Sequence, residues 1–108
     1  LDKLSLGVPY KDKSNAARWK NSPGIRCRGS LWIVPMETKN RTAHPCVFPV
    51  KLVENCLKLQ GLKSGVVFDP FAGSGTVAVA AKRLGLDSVL AEVSATYCGM
   101  IRERLRET

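Results

Sequence analysis

Apolar residues recur with regular spacing through the second half of the chain, whereas the first half shows no regular pattern. Spacings of three or four residues are typical of a buried helix face, and short apolar runs with β-branched side chains are typical of buried parallel strands. By these criteria we predict helices over residues 50–60, 76–84 and 95–106, and strands over residues 66–69 and 88–91. Because helices and strands alternate, the sequence predicts an α/β fold.

Residues 1–30 lack both the helical and the strand period, and prolines and glycines interrupt them at short intervals. We therefore predict extended or loop structure there. A short strand is predicted over 31–34, between Gly29 and Pro35. Within the first helix of the second half, Cys56 falls on the predicted apolar face, where it would act as a small core residue.

A turn with two glycines separates the strand over 66–69 from the helix over 76–84. From Asp69 to Thr76 the sequence reads Asp-Pro-Phe-Ala-Gly-Ser-Gly-Thr. Glycines let the backbone approach a ligand closely, and the first amides of the following helix have no partners within that helix. Glu92 follows the second strand about 20 residues after the turn begins, where βαβ nucleotide-binding units place an acid that accepts hydrogen bonds from the ribose hydroxyls.

Three ligand classes compete for this turn. A phosphate-binding P-loop requires a lysine after its last glycine, and no lysine follows Gly75, so we exclude it. A dinucleotide site requires Gly-x-Gly-x-x-Gly/Ala, and Gly73, Gly75 and Ala78 satisfy that spacing. Asp69 argues against a dinucleotide, because a carboxylate repels a pyrophosphate and attracts an ammonium group. The third class is a nucleoside with a cationic tail, S-adenosylmethionine, and an NAD-binding dehydrogenase fragment remains the alternative.

The formal charge of +8 is distributed unevenly along the 108 residues. Residues 1–65 carry twelve Lys and Arg against four Asp and Glu, whereas residues 66–108 carry five of each. A basic segment beside a nucleoside-binding unit indicates a polyanionic partner, and we predict double-stranded DNA. A non-catalytic basic DNA-binding module is a further alternative. The predicted phosphate contacts are Lys11, Lys13, Arg18, Lys20, Arg26 and Arg28.

Cysteine and histidine usage argues against a metal site. The four cysteines form no Cys-x-x-Cys pair, and His44 is the only histidine. The chain contains no signal peptide and no apolar run of about 18 residues, so we expect a cytoplasmic protein with no membrane span and reduced thiols. A chain that starts at Leu1 rather than Met hints at a fragment.

The block from Asp69 to Thr76 resembles the cofactor loop of the DNA amino-methyltransferases, which methylate N6 of adenine or N4 of cytosine. A second block, His44-Pro45-x-x-Phe48-Pro49, resembles the segment that precedes the helix supporting the methionine end of their cofactor. The order of the two blocks is that of the β-class. This resemblance covers about residues 20–106. It implies a partial doubly wound (Rossmann-like) S-adenosylmethionine-dependent methyltransferase fold.

The resemblance also implies roles for individual residues. Asp69 would face the methionine ammonium group, Glu92 the ribose hydroxyls, and Val93 the adenine, while amides of the glycine turn would wrap the methionine and ribose. His44 would position the cofactor and Phe48 would form a pocket wall. The predicted cofactor-binding residues are His44, Pro45, Phe48, Asp69, Phe71, Gly73, Ser74, Gly75, Thr76, Glu92 and Val93. Residues 1–35 would be the end of a target-recognition region, and residues 36–108 the cofactor-binding part.

One part of the family pattern is missing. The family's catalytic motif, a polar residue followed by Pro-Pro and an aromatic residue, does not occur, and Gly7-Val8-Pro9-Tyr10 lacks both the polar acceptor and the first proline. We therefore expect no catalytic residue in this chain. A missing N-terminal half or another subunit would supply the motif, in an enzyme of a restriction-modification system. Cys46 follows a proline, as the nucleophile of cytosine C5-methyltransferases does, but it lies within the helix-entry block and is not expected to react.

Overall fold

The computed structural model describes residues 1–2, 4–9, 24–36 and 47–108, and this part of the chain contains three helices and four short strands. In chain order they are β1 (Val8–Pro9), β2 (Ile25–Arg26), α1 (Val50–Leu59), β3 (Val66–Asp69), α2 (Thr76–Arg83), β4 (Asp87–Leu90) and α3 (Ala95–Glu107). All five elements predicted for the second half are present, and their ends agree with the predictions to within one residue.

The strands β3 and β4 pair in parallel, with Val66 opposite Asp87 and Asp69 opposite Leu90. The helix α2 connects them, which makes β3, α2 and β4 one βαβ unit. Because the strands run in the same direction, their carboxyl ends meet at one edge of the sheet. The residues that follow the two strands are thereby brought together.

The helix α2 is the centre of the core and contacts α1, α3 and both parallel strands. Its residues Ala78, Ala80 and Ala81 are completely buried, since small side chains let the surrounding elements approach the helix closely. A hydrophobic cluster joins the three helices through Val50, Val53 and Leu57 of α1, Val79 and Ala80 of α2, and Leu105 of α3.

The face that α1 turns toward the core differs from the prediction at one position. Cys56 is exposed, so its assignment to the core was wrong. Its neighbour Asn55 is only 1% exposed, although it is polar. The buried face of α1 that the apolar pattern predicts is therefore rotated by about one residue from the observed one. Successive helical residues are about 100° apart around the axis, so a shift of one residue moves Cys56 to the surface.

The first half of the chain contributes a small antiparallel ladder in which Val8 pairs with Arg26 and Pro9 pairs with Ile25. Within the described residues 1–2, 4–9 and 24–30, this agrees with the extended or loop structure predicted for residues 1–30, and the rest of that prediction lies outside the described residues. The strand predicted over 31–34 is absent, and Leu31 and Ile33 are 83% and 82% exposed. A strand needs a hydrogen-bonded neighbour, and no described residue pairs with this segment.

The two faces of the parallel sheet differ in burial. Along β3 and β4, exposed residues alternate with half-buried ones. One set of alternate side chains, which we call the open face, consists of Val66, Phe68 and Val89, and these are 64%, 64% and 54% exposed. Parallel sheets in α/β proteins normally have both faces covered by other elements, so the exposure of the open face is unusual for this class of fold.

Candidate cofactor-binding site

The loops that follow β3 and β4 are held against each other at the carboxyl edge of the sheet. The amide of Ala91 donates to the carbonyl of Asp69 at 2.9 Å, and the amide of Ala72 donates to the carbonyl of Ala91 at 3.0 Å. These bonds continue the parallel pairing beyond the strands. The predicted cofactor loop, residues 69–76, therefore lies directly beside residues 91–94.

Glu92 bridges the two loops with its carboxylate. Its Oε2 accepts a hydrogen bond from the amide of Gly73 at 2.8 Å, and its Oε1 accepts one from the amide of Ser94, also at 2.8 Å. The side chain is half-buried. A carboxylate accepts about four hydrogen bonds, so a role in joining the loops does not conflict with a role toward a ligand.

Asp69 occupies the last position of β3, as predicted, and is half-buried. Its Oδ1 accepts a hydrogen bond from the amide of Phe71 at 3.0 Å, which turns the chain sharply out of the strand. With Glu92, it places a second carboxylate at the carboxyl edge of the sheet. These two acidic groups make the edge attractive to a cation or to a donor pair such as a ribose diol.

The glycine loop adopts backbone angles that only glycine takes readily. Gly75 has φ +80°, and its amide donates to the carbonyl of Ala72 at 2.8 Å. It is the N-cap of α2 and offers no side chain to the amides of the first turn. Those amides have no acceptor within the helix itself, which makes them donors for a ligand.

The donors available to a ligand are fewer than the sequence indicated. The amides of Phe71, Gly73 and Gly75 already donate to Asp69, Glu92 and Ala72 within the protein. They maintain the shape of the loop. The prediction that loop amides bind the cofactor therefore narrows to the amide of Ser74 and the amides at the beginning of α2, from Thr76 onward.

Ser74 and Thr76 turn their side chains into the protein. The two residues are 4% and 3% exposed, and Arg104 of α3 donates to both hydroxyls. Contact between these residues and a ligand would therefore involve their backbone. Arg104 is not among the predicted site residues, and its only sequence signal is its position one helical turn beyond the apolar Ile101.

Three of the predicted apolar contact residues are exposed. Phe71 and Val93 are 87% and 101% exposed, and both belong to the loops at the carboxyl edge. Phe48 is 46% exposed and lies just before α1. Exposed apolar side chains beside polar groups are typical of a ligand-contacting surface.

The remaining predicted residues fall into two groups. The first group lies outside the described residues and consists of His44, Pro45, Lys11, Lys13, Arg18 and Lys20; Cys46 also lies there. The second group is described: Arg26 is exposed on β2, and Arg28 is half-buried just beyond it.

Neither a metal-ligand cluster nor a membrane-spanning helix is present in the described part of the chain. Among the described residues, no group of three or more His, Cys, Asp or Glu side chains is arranged to hold a metal. In the same part of the chain, no helix has the length and apolar character of a membrane span.

Comparison with curated proteins relates the chain to bacterial type II methyltransferases. Type II methyltransferase M.ScaI of Streptomyces caespitosus is 31% identical over 105 residues, which cover 91% of this chain and 34% of the relative. Type II methyltransferase M.HpaI of Haemophilus parainfluenzae is 34% identical over 105 residues, which cover 97% of this chain and 32% of the relative. The chain thus spans about a third of the length of these relatives.

A solved structure gives the same result for the fold. The crystal structure of M1.HpyAVI in complex with SAM matches 73% of this chain and 40% of its own, with a TM-score of 0.60 and 25% sequence identity. The predicted partial doubly wound methyltransferase fold is therefore confirmed, as is the resemblance to the DNA amino-methyltransferases. The sequence profile of the DNA methylase family matches residues 1–103. The chain belongs to the N6/N4 DNA methylase family.

Proposed function

We propose that this chain is the S-adenosylmethionine-binding part of a DNA methyltransferase that modifies N6 of adenine or N4 of cytosine in a restriction-modification system. The observation that carries the proposal is the pair of carboxylates at the ends of adjacent parallel strands. Asp69 and Glu92 flank a glycine loop whose following helix begins without a side-chain cap. That arrangement suits a ligand with an amino-acid ammonium group and a ribose diol.

The charge of this edge distinguishes between the two nucleoside ligands that the sequence left open. Two unit charges about 4 Å apart interact by about 1 kcal/mol in water and about 4 kcal/mol near a protein surface. For NAD, the carboxylate of Asp69 would contribute this energy as repulsion of the pyrophosphate. For S-adenosylmethionine, it would contribute the same energy as attraction of the ammonium group.

The residues at the edge fit the parts of S-adenosylmethionine in turn. The carboxylate of Asp69 would bind the ammonium group. The amides at the start of α2 would bind the methionine carboxylate or the ribose, and the carboxylate of Glu92 would accept hydrogen bonds from the ribose hydroxyls. The exposed side chain of Val93 would lie against the adenine, and those of Phe71 and Phe48 would exclude water. When bound, the cofactor supplies an electrophilic methyl group that an exocyclic amine accepts directly, without a covalent enzyme intermediate.

We infer that DNA binds the basic first part of the chain. Arg26 and Arg28 lie within and just beyond β2, where Arg26 is exposed. Together with Lys11, Lys13, Arg18 and Lys20, they would contact phosphates, and residues 1–35 would end a target-recognition region. Phosphate contacts of this kind release counterions and make the DNA affinity depend steeply on salt.

The catalytic motif would come from additional protein that covers the open face. The chain spans about a third of its curated relatives, and the open face leaves Val66, Phe68 and Val89 more than half exposed. In a doubly wound domain, helices cover both faces of the sheet. We infer that the catalytic half packs on this face, either as another segment of the same enzyme or as another subunit.

Calorimetric titration tests the cofactor assignment. We expect S-adenosylhomocysteine to bind the chain and NADH to bind more weakly. Asp69→Asn and Glu92→Gln should each weaken S-adenosylhomocysteine about tenfold or more, which corresponds to about 1.4 kcal/mol. Asp87→Asn is the matched control, because it removes the same charge from the opposite edge of the sheet. Unchanged affinity in both site variants, or tighter binding of NADH, would contradict the proposal.

A further inference from the structure

The helix α3 places two side chains of one face against the glycine loop. Ile101 and Arg104 are three residues apart and therefore lie one above the other on the helix surface. Ile101 is 7% exposed, and its Cγ1 lies 2.8 Å from the position that a Cβ of Gly75 would occupy. Arg104 is half-buried beside the same loop. The loop thus packs against α3 through an apolar contact and a charged one.

Arg104 connects the turn to the start of α2 through a single nitrogen atom. Its Nη1 donates to the carbonyl of Ser74 at 3.2 Å, to the hydroxyl of Ser74 at 3.4 Å and to the hydroxyl of Thr76 at 3.1 Å. Because Ser74 and Thr76 are both less than 5% exposed, water does not readily replace these bonds. The guanidinium group therefore contacts the loop on both sides of Gly75, through the backbone carbonyl and hydroxyl of Ser74 and through the side-chain hydroxyl of Thr76.

The position of this cation is not explained by helix electrostatics alone. Arg104 lies in the last turn of α3, where a positive charge is favoured, but its head group reaches the first turn of α2, where a positive charge is disfavoured. Arg106 lies in the same last turn of α3 and is exposed. A cation that only stabilised the C-terminal end of α3 would not need to contact the loop. The hydrogen bonds to Ser74 and Thr76 therefore distinguish Arg104 from Arg106.

We propose that Arg104 is a positioning residue for the cofactor: it holds Ser74, Gly75 and Thr76 so that the first amides of α2 remain directed at the ligand. This inference rests on the proposed binding of S-adenosylmethionine. Arg104 acts from the side of the buried hydroxyls and does not contact the ligand. The fixed geometry of a guanidinium group suits several acceptors at once, whereas a lysine ammonium group is a point charge that would retain part of these bonds.

The experiment compares arginine variants of the 108-residue chain by calorimetry, with both S-adenosylmethionine and S-adenosylhomocysteine. Arg104→Met should weaken both ligands about tenfold or more, and Arg104→Lys should restore part of the loss. Arg106→Met, which removes the same charge from the same helical turn, should change affinity less than twofold. Thermal unfolding of each variant, followed by circular dichroism, sets a titration temperature at which the folded state predominates, so that lost stability is separated from lost affinity.

The two ligands separate positioning from a direct charge effect. S-adenosylmethionine carries a sulfonium charge that S-adenosylhomocysteine lacks, and removal of a nearby cation would by itself favour the charged ligand. A positioning role predicts equal weakening of both ligands. A gain in affinity for S-adenosylmethionine, or an effect of Arg106→Met as large as that of Arg104→Met, would overturn the proposal.

A double-mutant cycle keeps the test decisive if Arg104→Met unfolds the chain. Thr76→Val removes one acceptor and keeps the backbone amide, and its effect on ligand affinity should be several-fold in the wild-type background. In the Arg104→Lys background this effect should be smaller, because part of the interaction is already lost. Independent effects of the two changes would overturn the inference. If the wild-type chain binds neither ligand, the proposed function itself fails, whereas binding that is insensitive to Arg104 contradicts only the positioning role.

Discussion

Replacement of Gly75 by alanine would place a methyl group between the cofactor loop and α3. The φ of Gly75 is +80°, in the left-handed region, and adoption of this region by alanine costs about 1–2 kcal/mol. The new Cβ would also lie 2.8 Å, 3.1 Å and 3.3 Å from Cγ1, Cγ2 and Cβ of Ile101. These atoms belong to a β-branched side chain on a helix, which has one strongly preferred rotamer and does not move aside easily.

The expected loss of stability is the sum of two effects. Overpacking of a well-packed site costs about 1–3 kcal/mol, so Gly75→Ala should lower the free energy of unfolding by about 2–5 kcal/mol in total. For a domain of this size, each kcal/mol corresponds to about 4–8 °C in the midpoint of thermal unfolding. Denaturation by heat or urea, followed by far-ultraviolet circular dichroism, measures this loss.

Two controls separate the contributions. Gly85 also has a left-handed φ of +70°, but an added Cβ there meets no atom within 4 Å, so Gly85→Ala should cost only the backbone term of about 1–2 kcal/mol. In an Ile101→Ala background, Gly75→Ala should also fall to about that value, because the overlap is removed. Equal losses at Gly75 and Gly85, or a loss at Gly75 that is independent of Ile101, would refute the packing argument.

The remaining predictions concern the cap of α3, the open face and the basic segment. Ser94→Ala removes the hydroxyl that accepts from the amide of Tyr97 and should lower the free energy of unfolding by about 0.5–2 kcal/mol, whereas Ser94→Asp should retain most of it. Phe68→Ser, on the open face, should change the free energy of unfolding by less than about 0.5 kcal/mol. It should reduce association with a catalytic half or with other copies of the chain, as measured by sedimentation, and a large loss of stability would place Phe68 in the core instead. Arg26→Gln with Arg28→Gln should reduce the slope of log DNA affinity against log salt by about 2, and an unchanged slope would exclude both from phosphate contact.

The central part of the fold could be predicted because its signals are local. The apolar run of β3, the glycines that follow it and the alanine-rich α2 are contiguous, so one stretch of sequence specifies strand, turn and helix. The positions of Asp69 and Glu92 followed from the same logic, because a parallel unit brings the residues after both strands to one edge.

Features that depend on distant contacts could not be predicted in the same way. The acceptors of Arg104 lie 28 and 30 residues earlier in the chain, and an arginine in the last turn of a helix is ordinary by itself. The segment over 31–34 has the composition of a strand, but a strand forms only beside a hydrogen-bonded neighbour. The buried face of α1 depends on what packs against it, which is why Cys56 was assigned to the wrong side.

Amide chemical shifts of the isotopically labelled chain test the cofactor site most directly, because they report separately on every loop residue except Pro70, which has no amide proton. On addition of S-adenosylhomocysteine, we predict large shifts for residues 69–77 and 91–94, at the carboxyl edge of β3 and β4, and small shifts for β1 and β2. The Asp87 end of the sheet should remain unchanged. Shifts confined to residues 24–36, or saturable binding that leaves residues 69–77 and 91–94 unperturbed, would contradict the assignment of this edge as the cofactor site.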